Sequence, residues 1–182
     1  MARVPRIIYR HNSVERFIVS AIGEPGEREF FIQARSGEGL NTVKVEKEQV
    51  RALVVRFDEI VTDLRRSKKI AITKKEIDQN LDMDPLELPI EADFQVGIVG
   101  ITMNDLLLEV TFQAISNQDE LLIDDMDSGP DLLILNLDVL AIGIFSARAK
   151  TVIDAGRSTC PFCALPMNAS GHLCPRANGY RR

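Results

Sequence analysis

The chain has 182 residues, of which 45% are apolar and 27% are charged, and its formal net charge at pH 7 is −5. This composition is typical of one globular domain or a tight pair of small ones. The acidic balance argues against a protein coated in nucleic-acid-binding surface but allows a local basic patch. No apolar run of about 18 residues occurs, and residues 1–10 lack the apolar segment of a signal peptide. We therefore expect a cytoplasmic protein without membrane contact. The three cysteines, an odd number gathered at one end, also fit the reducing cytoplasm better than a disulfide-rich secreted protein.

The first part of the chain is predicted to form strands followed by one long helix. Short apolar segments bounded by Gly and Pro predict three or four antiparallel strands. Their positions are residues 7–9, 17–19, 30–34 and 40–45. From about residue 46 to residue 67 the apolar positions recur every three or four residues, which predicts a helix with one apolar face. That face consists of Val50, Leu53, Val54, Phe57, Ile60, Val61 and Leu64.

A second group of elements in the same order follows a linker that contains Pro85 and Pro89. Strand patterns, the first two joined by a predicted hairpin turn at Asn104-Asp105, indicate another antiparallel sheet. These strands lie at residues 94–101, 106–115 and 132–135. A helix is expected next, with Asn136 as its N-cap and Gly156 just beyond its end, where glycine is favoured.

Together these elements predict an α+β fold made of two antiparallel sheet-plus-long-helix halves. The first half covers residues 1–67, a linker covers 68–93, the second half covers 94–156, and a small zinc-binding tail covers 157–182. Each long helix is expected to cover one curved sheet, and the two halves are expected to share a core. An internal duplication would explain the repeated order, but the sequence leaves it open because any strand-to-helix junction has this pattern.

The tail holds all three cysteines of the chain and one of its two histidines. They occur as Cys160-Pro-Phe-Cys163 and, after eight intervening residues, His172-Leu-Cys174. A Cys-x-x-Cys turn places two thiolates about 3.5–4 Å apart, which suits Zn–S bonds of roughly 2.3 Å. We therefore predict one structural zinc ion bound by Cys160, Cys163, His172 and Cys174. Four protein ligands close the tetrahedral coordination sphere and leave no position for water or substrate.

Two other interpretations of the tail stay open. One is an unordered tail with three unrelated thiols and a surface histidine. The other is a redox-active dithiol formed by Cys160 and Cys163. Cys160 follows the predicted C-terminus of a helix, where the helix dipole disfavours a thiolate. Zinc accounts for all four residues, whereas a dithiol accounts for two.

The tail also resembles a known family. The strings at residues 155–163 and 171–182 look like the C-terminus of an uncharacterised actinobacterial family, the domain-of-unknown-function 3090 family, and residues 31–37 and 45–49 are similar to its N-terminal motifs. The resemblance spans nearly the whole chain, and it implies an actinobacterial cytosolic protein without an assigned activity. Members usually have glycine where this chain has Ala164, so we expect a less comfortable backbone in the first turn of the tail.

The rest of the sequence offers little for catalysis. It contains no phosphate-binding loop, no dinucleotide-binding glycine motif, no nucleophile elbow and no His-Glu-x-x-His zinc motif. His11, the only histidine left after His172 is assigned to zinc, is expected in a solvated polar turn. These observations favour a non-enzymatic protein over an enzyme.

We therefore predict a protein-interaction module for an unidentified protein partner, in which the sheets display a surface and the zinc tail fixes a cationic hook with accessible residues 178–182. The tail has four arginines and no Asp or Glu from residue 156 onward. The alternative is a binder of single-stranded nucleic acid, in which aromatic side chains stack on bases. The aromatic candidates are Tyr9, Phe30, Phe31 and Tyr180. An enzyme with an active site between the two halves is the third interpretation.

Overall fold

The computed structural model describes residues 5–116, 129–156, 160–165, 167 and 172–176. The described residues form seven strands and three helices. In chain order these are β1 (Ile8–His11), β2 (Arg16–Ile22), β3 (Glu29–Ser36), β4 (Gly39–Val45), α1 (Lys47–Arg66), α2 (Lys74–Gln79), β5 (Phe94–Asn104), β6 (Leu107–Ala114), β7 (Leu132–Asp138) and α3 (Val139–Asp154). Among these helices, none combines the length and apolar character that crossing a membrane requires.

All seven strands belong to one mixed sheet in the order β1-β7-β6-β5-β4-β3-β2. The α+β class is confirmed, but the prediction of two separate antiparallel sheets is wrong. Strand β5 pairs with β4 in parallel and thereby joins the two halves, and β1 pairs in parallel with β7. A parallel pair needs a long crossover, which α1, α2 and the linker after them provide between β4 and β5. The internal duplication stays a prediction.

The sheet is strongly curled, because its two edge strands are close neighbours in sequence. Strands β1 and β2 lie at opposite edges, yet only residues 12–15 connect them. Five Cα steps reach at most about 19 Å, whereas six strand spacings in a flat sheet amount to roughly 29 Å. The connection is too short for a flat sheet, so the edges have to approach each other.

The hydrophobic core lies between one face of this sheet and the helices α1 and α3. All seven residues of the predicted apolar face of α1 are buried, which confirms that helix. At the centre, the ring of Phe17 from β2 stacks on Phe145 from α3 with centroids 4.3 Å apart, and Phe57 from α1 meets Phe145 edge-on at 5.7 Å. Alternate residues of the strands point to the same core, as the period of two requires.

The opposite face of β2, β3 and β4 is covered by the linker after α2. The Gln33 side chain bonds the linker backbone twice: its Nε2 donates to the carbonyl of Glu87 at 3.0 Å, and its Oε1 accepts from the Glu87 N–H at 2.8 Å. Beside it, Leu86 packs in a small buried cluster with Ile18 and Phe31. The linker is therefore a packed part of the fold.

A buried arginine ties α3 to the edge strand β2 and to the linker. Arg148 is 2% exposed, and its Nε donates to the carbonyl of Val19 at 2.6 Å. Its terminal nitrogens donate to the carbonyls of Asp82 at 2.6 Å and Asp84 at 2.8 Å. The Asp82 carboxylate in turn accepts from Arg16 Nε at 2.6 Å. Strand β2 lies at an edge of the sheet, where backbone groups on one side have no neighbouring strand. The hydrogen bond from Arg148 satisfies one such group, the carbonyl of Val19.

Helix α3 begins two residues later than predicted. Its N-cap is Asp138, whose side chain accepts from the Ala141 N–H at 2.7 Å, and not Asn136. The strand continues because β7 stays paired with β6 as far as Asp138, which keeps Leu137 in the core. Packing across the sheet thus overrides a good capping residue.

Two further helix features complete the comparison with the sequence. Helix α2 was not predicted, although Thr73 and Glu76 form a capping box at its start. Gly156 does follow the last residue of α3 by two positions, as predicted, but its φ is not in the left-handed region. A Cβ at this position would contact the guanidinium of Arg28, which caps the helix by donating to the Val152 carbonyl at 2.9 Å, so a larger residue would require the Arg28 side chain to shift.

We predict that Asp82→Asn destabilises the protein in a pH-dependent way. The hydrogen bonds from Arg16 lower the pKa of Asp82 despite partial desolvation, so the carboxylate stabilises the fold above its unfolded pKa and loses that effect as the pH falls. The substitution should reduce the free energy of unfolding by about 1–3 kcal/mol at pH 7, and the difference from the unmodified protein should shrink below about pH 4.

Urea denaturation between pH 3 and pH 7 measures this effect. Asp63→Asn is the control, because Asp63 is 72% exposed and lies 3.8 Å from Arg66 in a solvated pair, which should contribute little. Two outcomes would contradict the stabilising role of the Asp82 carboxylate beside Arg16 and Arg148. One is an equal decrease in the free energy of unfolding for both variants, and the other is a decrease for Asp82→Asn that does not change with pH.

Candidate metal centre

Four side chains of the tail converge on one point. The sulfur atoms of Cys160, Cys163 and Cys174 and a ring nitrogen of His172 all lie within 4.8 Å of one another. Cys160 and Cys174 are buried, and the other two are half-buried. The structure therefore brings together the complete set of residues that the sequence predicted, in a group that could hold a metal ion.

The distances within the cluster suit a tetrahedral metal ion. The sulfurs of Cys160 and Cys174 are 3.8 Å apart, and Cys163 Sγ is 3.4 Å from His172 Nε2. A tetrahedral ion with Zn–S bonds of about 2.3 Å separates two sulfur ligands by about 3.8 Å. The spacing is too long for a disulfide, whose S–S bond is about 2 Å, and none of the three cysteines forms one.

The first two ligands lie in a tight backbone turn, the first knuckle, which consists of residues 160–165. The Ala164 N–H donates to the carbonyl of Cys160 at 2.8 Å, and the Cys160 N–H donates to the carbonyl of Leu165 at 2.9 Å. The backbone N–H of Phe162 lowers the pKa of Cys160, outweighing the desolvation of the thiol. The knuckle thus favours the thiolate form of Cys160, in the direction opposite to the effect of the helix dipole. The backbone N–H of Leu165 lowers the pKa of Cys163, but desolvation and the sulfurs of Cys160 and Cys174 outweigh it, so that this pKa is raised.

Ala164 occupies the strained position that the family resemblance predicted. Its φ is +58°, in the left-handed region where a Cβ is disfavoured. Glycine adopts this conformation without that cost. The departure from the family pattern therefore leaves all four ligands in place but strains the turn that positions Cys160 and Cys163.

The second pair of ligands is connected to the first knuckle by an arginine. Arg176 Nη1 donates to the carbonyl of Phe162 at 3.3 Å and so crosses from the segment after Cys174 to the knuckle. The other basic residues assigned to the tail, Arg157, Arg181 and Arg182, lie outside the described residues. The aromatic residue Tyr180 also lies outside them.

His11 does not lie in a solvated turn, and that prediction is wrong. It ends β1 and is 1% exposed, because the curled sheet carries it against the β3–β4 hairpin. Its Nδ1 is 2.5 Å from Ser36 Oγ, and its Nε2 is 2.7 Å from Asn41 Oδ1. The Asn41 amide donates onward to Asp93 at 2.9 Å. Both ring nitrogens have protein partners, so the buried imidazole connects the end of β1 to the β3–β4 hairpin.

Of the aromatic residues suggested for base stacking, the three that the structure describes are buried or half-buried. Phe30 is 4% exposed and Phe31 is 8% exposed, and Tyr9 is half-buried against the core. Arg35, the basic residue that follows them on β3, pairs with Glu87 at 3.2 Å. Strand alternation buries Phe30 and Phe31 on opposite faces, because the linker covers the second face.

Comparison with known proteins gives a family but no activity. A family model described as protein of unknown function (DUF3090) matches residues 9–174, a span that includes all four residues of the cluster. This match confirms the resemblance seen in the sequence. Searches of curated proteins and of solved structures found no match.

We predict that Ala164→Gly tightens metal binding. Relief of a left-handed alanine should gain about 1 kcal/mol, which corresponds to an affinity increase of about fivefold. Competition with a chromophoric chelator, using Zn²⁺ or Co²⁺, measures the change. Ala164→Ser keeps a Cβ and should show no such gain. Unchanged or weaker binding by the glycine variant would show that the φ of this residue does not limit the site.

Proposed function

The chain belongs to the family described as protein of unknown function (DUF3090), and from its own residues we propose that it is a non-enzymatic zinc protein whose C-terminal tail binds another protein. In this proposal, Cys160, Cys163, His172 and Cys174 hold one structural zinc ion. The zinc fixes the two ligand pairs relative to each other, and the tail presents side chains around the ion to the partner.

Zinc is the metal that these ligands favour. Thiolates and imidazole are the ligands of structural zinc sites, and a Cys3His set with four protein ligands is closed to water and substrate. The 3.8 Å separation of the sulfurs of Cys160 and Cys174 supports the same metal. A closed site of this kind contributes folding energy to the segment that it crosslinks.

Exposed apolar side chains around the cluster support the interaction proposal. Phe162 is 63% exposed, Leu165 is 53% exposed and Leu173 is 87% exposed. The tail has few apolar residues, and these three are exposed to solvent beside the four residues of the cluster. Exposed apolar groups on a rigid element are typical of contact surfaces between proteins.

The charge of the tail indicates the chemistry of the partner. No acidic residue occurs from residue 156 onward, whereas four arginines do, and Arg176 lies next to the apolar group. We therefore propose a protein partner with an apolar pocket bordered by carboxylates. The acidic body of the chain disfavours nucleic acid as the partner, because net negative charge repels phosphates.

The zinc assignment predicts about one zinc ion per chain in protein purified without a metal-affinity tag. Cys160→Ser should retain less than about a tenth of an equivalent, whereas Phe162→Ser, which changes the same knuckle but no ligand, should keep its zinc. Plasma mass spectrometry measures the metal. Another metal at full occupancy would overturn the zinc assignment, and no metal would overturn the site. Both variants should keep the thermal transition of the body, since the main hydrophobic cluster includes no described tail residue.

The interaction proposal predicts that a photo-crosslinking amino acid at Leu173 captures a specific protein in cells. The same amino acid at Leu88, which is 81% exposed on the linker, is the matched control and should not capture it. With the captured protein purified, Leu173→Ser should weaken binding at least about tenfold, as loss of a buried apolar anchor does. Cys160→Ser should weaken it as well, and Leu88→Ser should not.

Two results would contradict the interaction proposal. One is a partner that binds equally well to the Leu173→Ser and Leu88→Ser variants. The other is tight binding of a labelled single strand of about 20 nucleotides that weakens steeply with salt and is lost in Arg176→Ala, because salt dependence of this kind reports contacts with phosphates.

A further inference from the structure

A cleft of about 530 Å³ lies between the three helices. Helix α1 contributes Val61 and Arg65, α2 contributes Lys74 and Ile77, and α3 contributes Ser146 and other residues to its lining. Its volume falls within the range of about 300–1,000 Å³ that small-molecule sites occupy. None of the four metal ligands lines it.

Two residues that line this cleft each have a buried polar atom without a hydrogen-bond partner in the protein. Within the part of the chain that the structure describes, they are Arg65 Nη2 and Ser146 Oγ. Ser146 is 2% exposed. Most buried polar atoms in proteins are satisfied, and leaving one unsatisfied costs about 1–3 kcal/mol. The two unsatisfied atoms come from different helices, yet both of their residues line the same cleft.

The surroundings of Arg65 hold its guanidinium in place. Arg65 Nε donates to the carbonyl of Ile72 at 2.7 Å, which orients the planar group and leaves Nη2 unused. A guanidinium nitrogen can only donate, and a serine hydroxyl can donate or accept. A group that bonds both atoms therefore has to accept from Arg65, as the oxygens of a carboxylate or phosphate do.

The charged and apolar residues that line the cleft indicate the net charge and the apolar part of the ligand. Asp58 is paired with Lys150, whose Nζ lies 2.6 Å from its Oδ2, and Asp78 is the other carboxylate of the lining. Arg65 and Lys74 add two cationic groups, so the lining has one more cation than carboxylates. Ile77 packs against Gly143, where a Cβ would lie 2.8 Å from its Cδ1, and forms part of an apolar wall.

We propose that this cleft binds a small organic anion, with a carboxylate or phosphate group at Arg65 and Ser146 and an apolar body against Ile77 and Val61. The shared chemistry of the two anions is an oxygen acceptor that satisfies Arg65 Nη2. The proposal goes beyond the interaction function of the tail and does not depend on it.

Isothermal titration calorimetry of the full chain tests the proposal with hexanoate, hexyl phosphate, inorganic phosphate and hexanol. Either hexanoate or hexyl phosphate should bind, and the tighter of the two identifies the anionic group. Hexanol should bind at least about fivefold more weakly, since it cannot supply a charged acceptor. Inorganic phosphate should also bind more weakly, because it lacks the apolar body.

Variants separate a ligand site from a structural role. Arg65→Gln and Ser146→Ala should each weaken binding of the tighter anion by about fivefold or more, whereas Arg66→Gln, the neighbouring and exposed arginine, should leave it unchanged. Ser146→Ala should also raise the melting temperature of the ligand-free protein, because it removes a buried hydroxyl without a partner. This second readout does not depend on the Arg65 variant being folded.

Three outcomes would overturn the proposal. The first is no detectable binding of either anion. The second is binding that Arg65→Gln and Ser146→Ala do not weaken. The third is a lower melting temperature for ligand-free Ser146→Ala, which is the result expected if an ordered water alone satisfies the hydroxyl.

Discussion

The structure depends on bringing together the two edges of one seven-stranded sheet. Residues 12–15 are too few to span a flat sheet, and helix α3 closes the gap from the other direction. It follows β7, next to one edge, and packs on β2 at the other edge. Within it, Arg148 bonds the carbonyl of Val19 in β2 and the carbonyls of Asp82 and Asp84 in the linker. One buried guanidinium thus connects a helix, an edge strand and the covering linker.

Closure of the sheet decides the environment of residues that are far apart in sequence. It places His11 against Ser36 and Asn41, and it leaves the imidazole with a partner at each nitrogen. It also stacks Phe17 on Phe145, so a strand of the first half and the helix of the second share one core. Such buried polar networks are costly when they are incomplete, and here the network continues through Asn41 to Asp93.

The body completes its core without the tail, which leaves the tail and the helical cleft as separate places for function. The tail has four residues that could hold a metal ion and, around them, three exposed apolar side chains. The cleft between the helices has the opposite character, since two of its lining residues have buried polar atoms without a partner in the protein. A protein partner at the tail and a small anion in the body are therefore compatible in one chain, and each can be tested without the other.

The sequence by itself determined the local features of this protein. Spacing of three and four residues defined the buried face of α1, and the clustering of Cys160, Cys163, His172 and Cys174 predicted a group that could hold a metal ion, because both patterns act over a few residues. Only the tertiary structure decided which strands pair, where His11 lies and that Arg65 and Ser146 line one cleft. A strand pattern specifies which of its faces is buried but not its neighbour, since pairing depends on crossovers and closure of the whole chain.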